Sequence, residues 1–97
     1  MNKQELLSRS RKSTRPVIVE FWAPWCTPCK MMAPALEKAA SEHSNSVELI
    51  RINADEDQQT TKDFNILGIP TILVLSGGEE KSRHTGMLNA SQLGILF

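Results

Sequence analysis

The sequence has no surplus of charge, no apolar run of membrane length, no internal repeat and, outside one short motif, no cysteine. Each absence removes a class of function. Eleven basic against eleven acidic residues give a formal net charge of zero, so nucleic acid and acidic membrane surfaces are not the expected partners. No window approaches the ~20 apolar residues of a membrane span. No apolar stretch of about 7–15 residues follows the first charges, as a secretory signal requires. The cytoplasm is therefore the expected location, and there a solitary thiol pair is kept mainly reduced. Besides its two cysteines the chain offers only His43 and His84 as soft ligands. Their spacing is not finger-like, so a zinc site, which wants four ligands, is the weaker reading.

What is present is an ordinary globular composition, 40% hydrophobic and 23% charged over 97 residues. That is one domain, residues 1–97, with a single modest core. The zero net charge hides an asymmetry. Residues 1–16 carry five basic residues against Glu5, or +4, and the remainder carries six against ten acidic, or −4. The basic start reads as an amphipathic first helix, about Lys3 to Arg9, followed by a solvated linker up to Pro16. An Arg-rich, acid-poor start also suits an organellar transit segment.

After Pro16, the run Val17-Ile18-Val19-Glu20-Phe21-Trp22 reads as a strand covered on both faces. From about Thr27 to His43, Met32, Leu36 and Ala39/Ala40 recur at helical spacing, with Pro34 inside to kink the helix. Val47–Asn53 reads as a second strand. Asp55, Glu56 and Asp57 mark the start of a short helix ending near Asn65. Thr71–Leu75 is a third strand, Ser76-Gly77-Gly78-Glu79 a hairpin turn, and Glu80–Thr85 the return strand. Asn89 is the expected N-cap of a last helix reaching Phe97. The predicted fold class is α/β, in the order αβαβαββα, with a mixed sheet between helices.

The chemistry concentrates in Trp25-Cys26-Thr27-Pro28-Cys29-Lys30, at a strand-to-helix junction. A pair of thiols two residues apart near a βαβ pattern reads as a redox site. Cys26 lies just before the helix, where free N–H groups and the dipole stabilise a thiolate, the nucleophilic form. Cys29, about one turn in, is expected to be buried and neutral. Attack by Cys26 on a target disulfide, followed by resolution by Cys29, is the implied sequence of events. Pro28 restricts the intervening backbone, and Trp25 and Thr27 flank the sulfur expected to be exposed. A purely stabilising bridge is the weaker reading, because closing so small a loop restricts the unfolded chain little. Glu20, a carboxylate in an apolar strand, reads either as a proton acceptor for Cys29, its pKa raised by burial, or as an outward-facing edge residue. Lys30 reads as solvated. Pro70 opens a strand at a position where X–Pro bonds adopt cis, and Gly86 permits either close backbone approach or a turn.

Three segments together resemble the thioredoxin family in wording and spacing: Phe21 to Pro34, then Gly68-Ile69-Pro70-Thr71, then Thr85-Gly86. The resemblance spans about residues 16 to 96. It implies a central mixed sheet flanked by helices, with Cys26 attacking and Cys29 resolving. It further implies that Trp25 packs beside the active-site loop and that Ile69-Pro70 is a cis-proline step. The backbone at Ile69 would then pair with an extended substrate segment, by β-strand addition. Trp25, Thr27, Pro28, Ile69, Pro70 and Gly86 form the implied substrate surface. Arg51 stands where the family often has a lysine near the buried acid.

The sequence departs from the family in three places. Thr27-Pro28 replaces Gly-Pro, Glu20 replaces aspartate, and the N-terminus is too short for the family's first strand, leaving about four. The expected function is reduction of disulfides in other proteins by a monomer with no bound metal or organic cofactor. A flavin-dependent, NADPH-consuming thioredoxin reductase would recharge it. A more oxidising isomerase or oxidase is the near alternative, and a binding module with merely regulatory cysteines the distant one.

Overall fold

The computed structural model describes residues 1–97. Its elements are α1 (Lys3–Lys12), β1 (Val17–Trp22), α2 (Thr27–Glu42), β2 (Glu48–Asn53), α3 (Gln58–Asp63), β3 (Thr71–Ser76), β4 (Glu79–Thr85) and α4 (Ala90–Leu96). The αβαβαββα order expected from the sequence is the order observed. The four strands form one sheet in the order β2-β1-β3-β4, with β1 parallel to β2 and antiparallel to β3.

Alternation along β1 explains why its run is apolar at every position but Glu20. Val17, Val19 and Phe21 turn to one face, where they pack with Leu6 of α1, Phe64 at the end of α3, and Leu73 and Leu75 of β3. Ile18 turns to the other, packing with Met32 and Leu36 of α2, Ile72 of β3 and Leu93 of α4. Helices cover both faces, so Val17 to Phe21 are buried and only Trp22, at the strand's end, is partly exposed. Phe21 and Phe64 meet edge-on, with centroids 5.8 Å apart, a favoured aromatic geometry.

The helix termini follow their sequence signals. Asn2 and Glu5 form a capping box on α1, and Asn89 and Gln92 form another on α4. Asp57 caps α3 through the Thr60 N–H. Pro34 lies within α2 and withholds one hydrogen bond from the Lys30 carbonyl.

The structure corrects the reading of the basic start. There is no linker from Ser10, because α1 continues to Lys12. Arg9, Arg11 and Lys12 occupy its last turn, where cations suit the helix dipole. Ser10, 1% exposed, is the tie. Its hydroxyl donates to the Leu7 carbonyl at 2.8 Å and accepts from the Gly78 N–H at 3.0 Å, while its carbonyl accepts from the Gly77 N–H at 3.2 Å. Gly77 and Gly78, with φ of 62° and 83°, supply the left-handed turn that joins β3 to β4. Ser10→Ala is expected to lower stability by about 1–2 kcal/mol, by stripping the partner from the Gly78 N–H. Urea unfolding measures this, and an unchanged midpoint would show that the tie carries no net energy.

Candidate active site

Cys26 and Cys29 are joined by a disulfide, with Cα atoms 5.2 Å apart. Cys26 is the N-cap of α2, and the Cys29 N–H donates to its sulfur at 3.2 Å. A cap position normally belongs to an oxygen that satisfies an orphan N–H. With sulfur there, the first turn of the helix solvates the developing thiolate once the bridge opens. Thr27 and Pro28 follow as the first two helical residues, both exposed. Pro28 has no N–H to lose at a place where an N–H would be free anyway.

Burial runs in the expected order but closer than expected. Cys29 is 1% exposed and Cys26 only 4%. Cys26 is therefore not an open sulfur in the bridged state, because it packs with Ala23, Cys29, Trp22 and Ile69. Trp25, 67% exposed, stands beside it and donates its indole N–H to Asp55 Oδ2 at 2.7 Å. Lys30 is exposed; its N–H donates to the Cys26 carbonyl at 3.1 Å, and its side chain makes no hydrogen bond or ion pair, in line with the solvated reading.

The chain brings the remaining segments to the same place. The Ile69–Pro70 bond is cis. Ile69 packs against the disulfide cluster, and its N–H and carbonyl take part in no backbone hydrogen bond. The Pro70 carbonyl accepts from the Gly86 N–H at 2.8 Å, placing Gly86 alongside the proline. Gly86 has φ of 102° with open space where a Cβ would project, a backbone that other residues adopt only with strain. Leu67, 97% exposed, and Met87, 50% exposed, are the chain neighbours of Gly68 and Gly86, and were not singled out in the sequence. The signal available was a large apolar residue beside a loop glycine in each case.

Glu20 is not an outward-facing edge residue. It lies on the central strand, 0% exposed, opposite Arg51 of β2 and Ile72 of β3. Alternation puts it on the α2 face, between Ile18, which meets Met32 and Leu36, and Trp22, which meets the disulfide. Arg51 Nε donates to Oε1 at 2.6 Å, while the buried Oε2 has no partner. Burial pushes the Glu20 carboxyl above its ordinary value, and the hydrogen bond and charge of Arg51 only partly oppose this. Arg51 also donates through Nη1 to Glu37 Oε1 at 3.2 Å and lies 4.8 Å from the centre of the Trp22 ring.

The Thioredoxin family model matches residues 1–95. A thioredoxin of Acidithiobacillus ferridurans is 43% identical over 82 residues, covering 84% of this chain and 76% of that one. A thioredoxin of Pseudomonas aeruginosa is 38% identical over 86 residues, covering 89% and 80%. A bifunctional thioredoxin reductase/thioredoxin of Mycobacterium leprae is 40% identical over 74 residues, 76% of this chain and 16% of that longer protein. A bridged thiol pair capping a helix, on a mixed four-stranded sheet with these relatives, leaves one conclusion: the chain belongs to the thioredoxin family and is a thiol-disulfide oxidoreductase of the protein-disulfide reductase type.

Proposed function

We propose that Cys26 is the attacking sulfur and Cys29 the resolving one, in a single domain of 97 residues that reduces disulfides of other proteins. The observation that carries this reading is the placement of the Cys26 sulfur at the N-cap of α2, on the Cys29 N–H. In the reduced protein the Cys26 thiolate attacks one sulfur of the target disulfide. A mixed disulfide forms and the other target sulfur leaves as a thiolate. Glu20 then takes the Cys29 proton on Oε2. The Cys29 thiolate attacks the Cys26 sulfur, closing the bridge of this protein and releasing the second target sulfur. Two electrons pass to the target, and the proton on Glu20 returns to solvent or to the departing thiolate.

Substrate docks across Trp25, Thr27, Pro28, Ile69, Pro70 and Gly86. The unpaired N–H and carbonyl of Ile69 offer an extended segment two main-chain hydrogen bonds. Recharging by an NADPH-dependent thioredoxin reductase is supported by the Mycobacterium leprae relative, whose name joins the two activities. No helix of the structure is long and apolar enough to cross a membrane, and we assign the protein to the cytoplasm as a monomer.

The reduction potential of the Cys26/Cys29 pair, measured by equilibration with thiol buffers, tests the direction of electron flow. The expected value is near about −270 mV, carried over from thioredoxin itself, with NADPH-coupled turnover in the presence of the reductase. A potential of roughly −180 to −120 mV, the range of isomerases and strong oxidants, would reverse the assignment. Thr27 in place of glycine would then be the first residue to examine.

A further inference from the structure

The Ile69 N–H donates to no backbone carbonyl of the protein, and what aims it is the peptide plane it shares with the Gly68 carbonyl. In a trans peptide the C=O and the following N–H lie in one plane and point in opposite directions. The Gly68–Ile69 bond is trans. Whatever holds the Gly68 oxygen therefore sets the direction of the Ile69 N–H.

One group holds that oxygen. The Thr71 hydroxyl donates to the Gly68 carbonyl at 2.5 Å, and no backbone N–H reaches it. Thr71 opens β3 at 1% exposure and stands opposite Thr85 of β4, with the two hydroxyl oxygens 3.2 Å apart. A hydroxyl carries a single proton. The Thr71 proton is committed to Gly68, so between the two threonines Thr85 is the donor. The hydrogen bonds then run one way, from Thr85 to Thr71 to the Gly68 carbonyl, and the far side of that plane presents the Ile69 N–H.

We propose that Thr71 is a positioning residue for substrate: by holding the Gly68 carbonyl toward β3 and β4 it points the Ile69 N–H away from them, to donate to a carbonyl of an extended substrate segment. The inference rests on the docking role proposed for Ile69. Without the hydroxyl the plane turns readily, because Gly68 on one side of it has no Cβ to restrict it. The neighbouring ties act elsewhere. The Gly86 N–H holds the Pro70 carbonyl at 2.8 Å, and the Ile69 side chain packs against the disulfide cluster. Neither contact bonds to the Gly68–Ile69 plane.

The test compares Thr71→Val, which keeps the β-branched shape and removes the donor, with Thr71→Ser, which keeps the donor. The pre-reduced protein is oxidised in single turnovers, so the recharging partner takes no part. One oxidant is insulin, whose disulfides are flanked by main chain. The other is dithiobis(nitrobenzoic acid), which has no main chain to pair. In Thr71→Val the half-saturating insulin concentration should rise about three- to tenfold, as loss of one well-aimed hydrogen bond implies. The maximal rate and the rate with the small disulfide should not change. Thr71→Ser should match the parent. Thr85→Val, at an exposed position, leaves the Thr71 hydroxyl without its orienting donor and should raise the insulin value by a smaller factor. Should Thr71→Val not fold, Thr85→Val decides. Equal losses with both oxidants, a serine variant that fails to recover, or an unchanged insulin value in the valine variants would overturn the proposal.

Hydrogen exchange at the Ile69 N–H separates the role of Thr71 from the docking role beneath it. In the mixed disulfide that Cys29→Ser traps with a disulfide-bearing peptide, this exchange should slow when peptide is attached, and slow less when Thr71→Val is added. No slowing with Thr71 intact would remove Ile69 from the docking surface, and the proposal with it. Equal slowing with and without Thr71→Val would overturn the role of Thr71 alone.

Discussion

Cys26→Ser is expected to abolish disulfide reduction down to the uncatalysed background, whereas Cys29→Ser completes one attack per molecule and stops with the target attached. The asymmetry follows from position. Only Cys26 occupies the helix N-cap, where the first-turn N–H groups and the dipole favour a thiolate. Cys29 lies within the helix at 1% exposure and meets only a sulfur already delivered to Cys26. Mass spectrometry after incubation with a disulfide-bearing protein reads both outcomes, as no adduct for the first variant and a stoichiometric one for the second. Alkylation of the reduced parent gives an independent check, with Cys26 modified first. Faster modification of Cys29 would exchange the two roles. Because Cys26 is itself 4% exposed in the bridged form, access to its sulfur is expected to depend on displacement of its neighbours by the substrate.

Glu20→Gln is the second large effect, and it separates rate from stability. Removing a positioned proton acceptor should slow release of the mixed disulfide by about 10²-fold at neutral pH. The same substitution should stabilise the fold as pH rises. Burial lifts the folded-state value of Glu20 above the unfolded one, so the folded form holds its proton more tightly. Stability linked to this group is then fully present below the unfolded value and is lost as pH rises through the folded value. Glutamine cannot ionise and escapes that loss, so the variant should gain on the parent in urea unfolding as pH rises from the unfolded value through the raised folded one. Release rates that match the parent between about pH 6 and 8 would reduce Glu20 to a packing residue.

The elements were legible because their signals are local. A β-branched and aromatic run with a single carboxylate in it reads as a strand covered on both faces, and Val17–Trp22 is one. Asn89 before a helix and paired glycines between strands carry their own backbone preferences. The end of α1 was read too early because Ser10 and its basic neighbours look solvated in isolation. Only the hairpin turn, 67 and 68 residues further along, shows what Ser10 holds.

The chemistry is legible in the residues alone. A thiol pair two residues apart at a helix start, with no other cysteine and no charge excess, leaves little but disulfide exchange. Tertiary structure decided how that chemistry is controlled. It buried Glu20 on the face of α2, a choice that alternation along one strand cannot make, since both faces of the sheet are covered. It tied Trp25 to Asp55, set Ile69 beside the disulfide and Gly86 against Pro70, and divided one arginine between Glu20 and Glu37. Those contacts join residues far apart in the chain, and their geometry depends on how strands and helices pack. Local propensity carries no record of that packing.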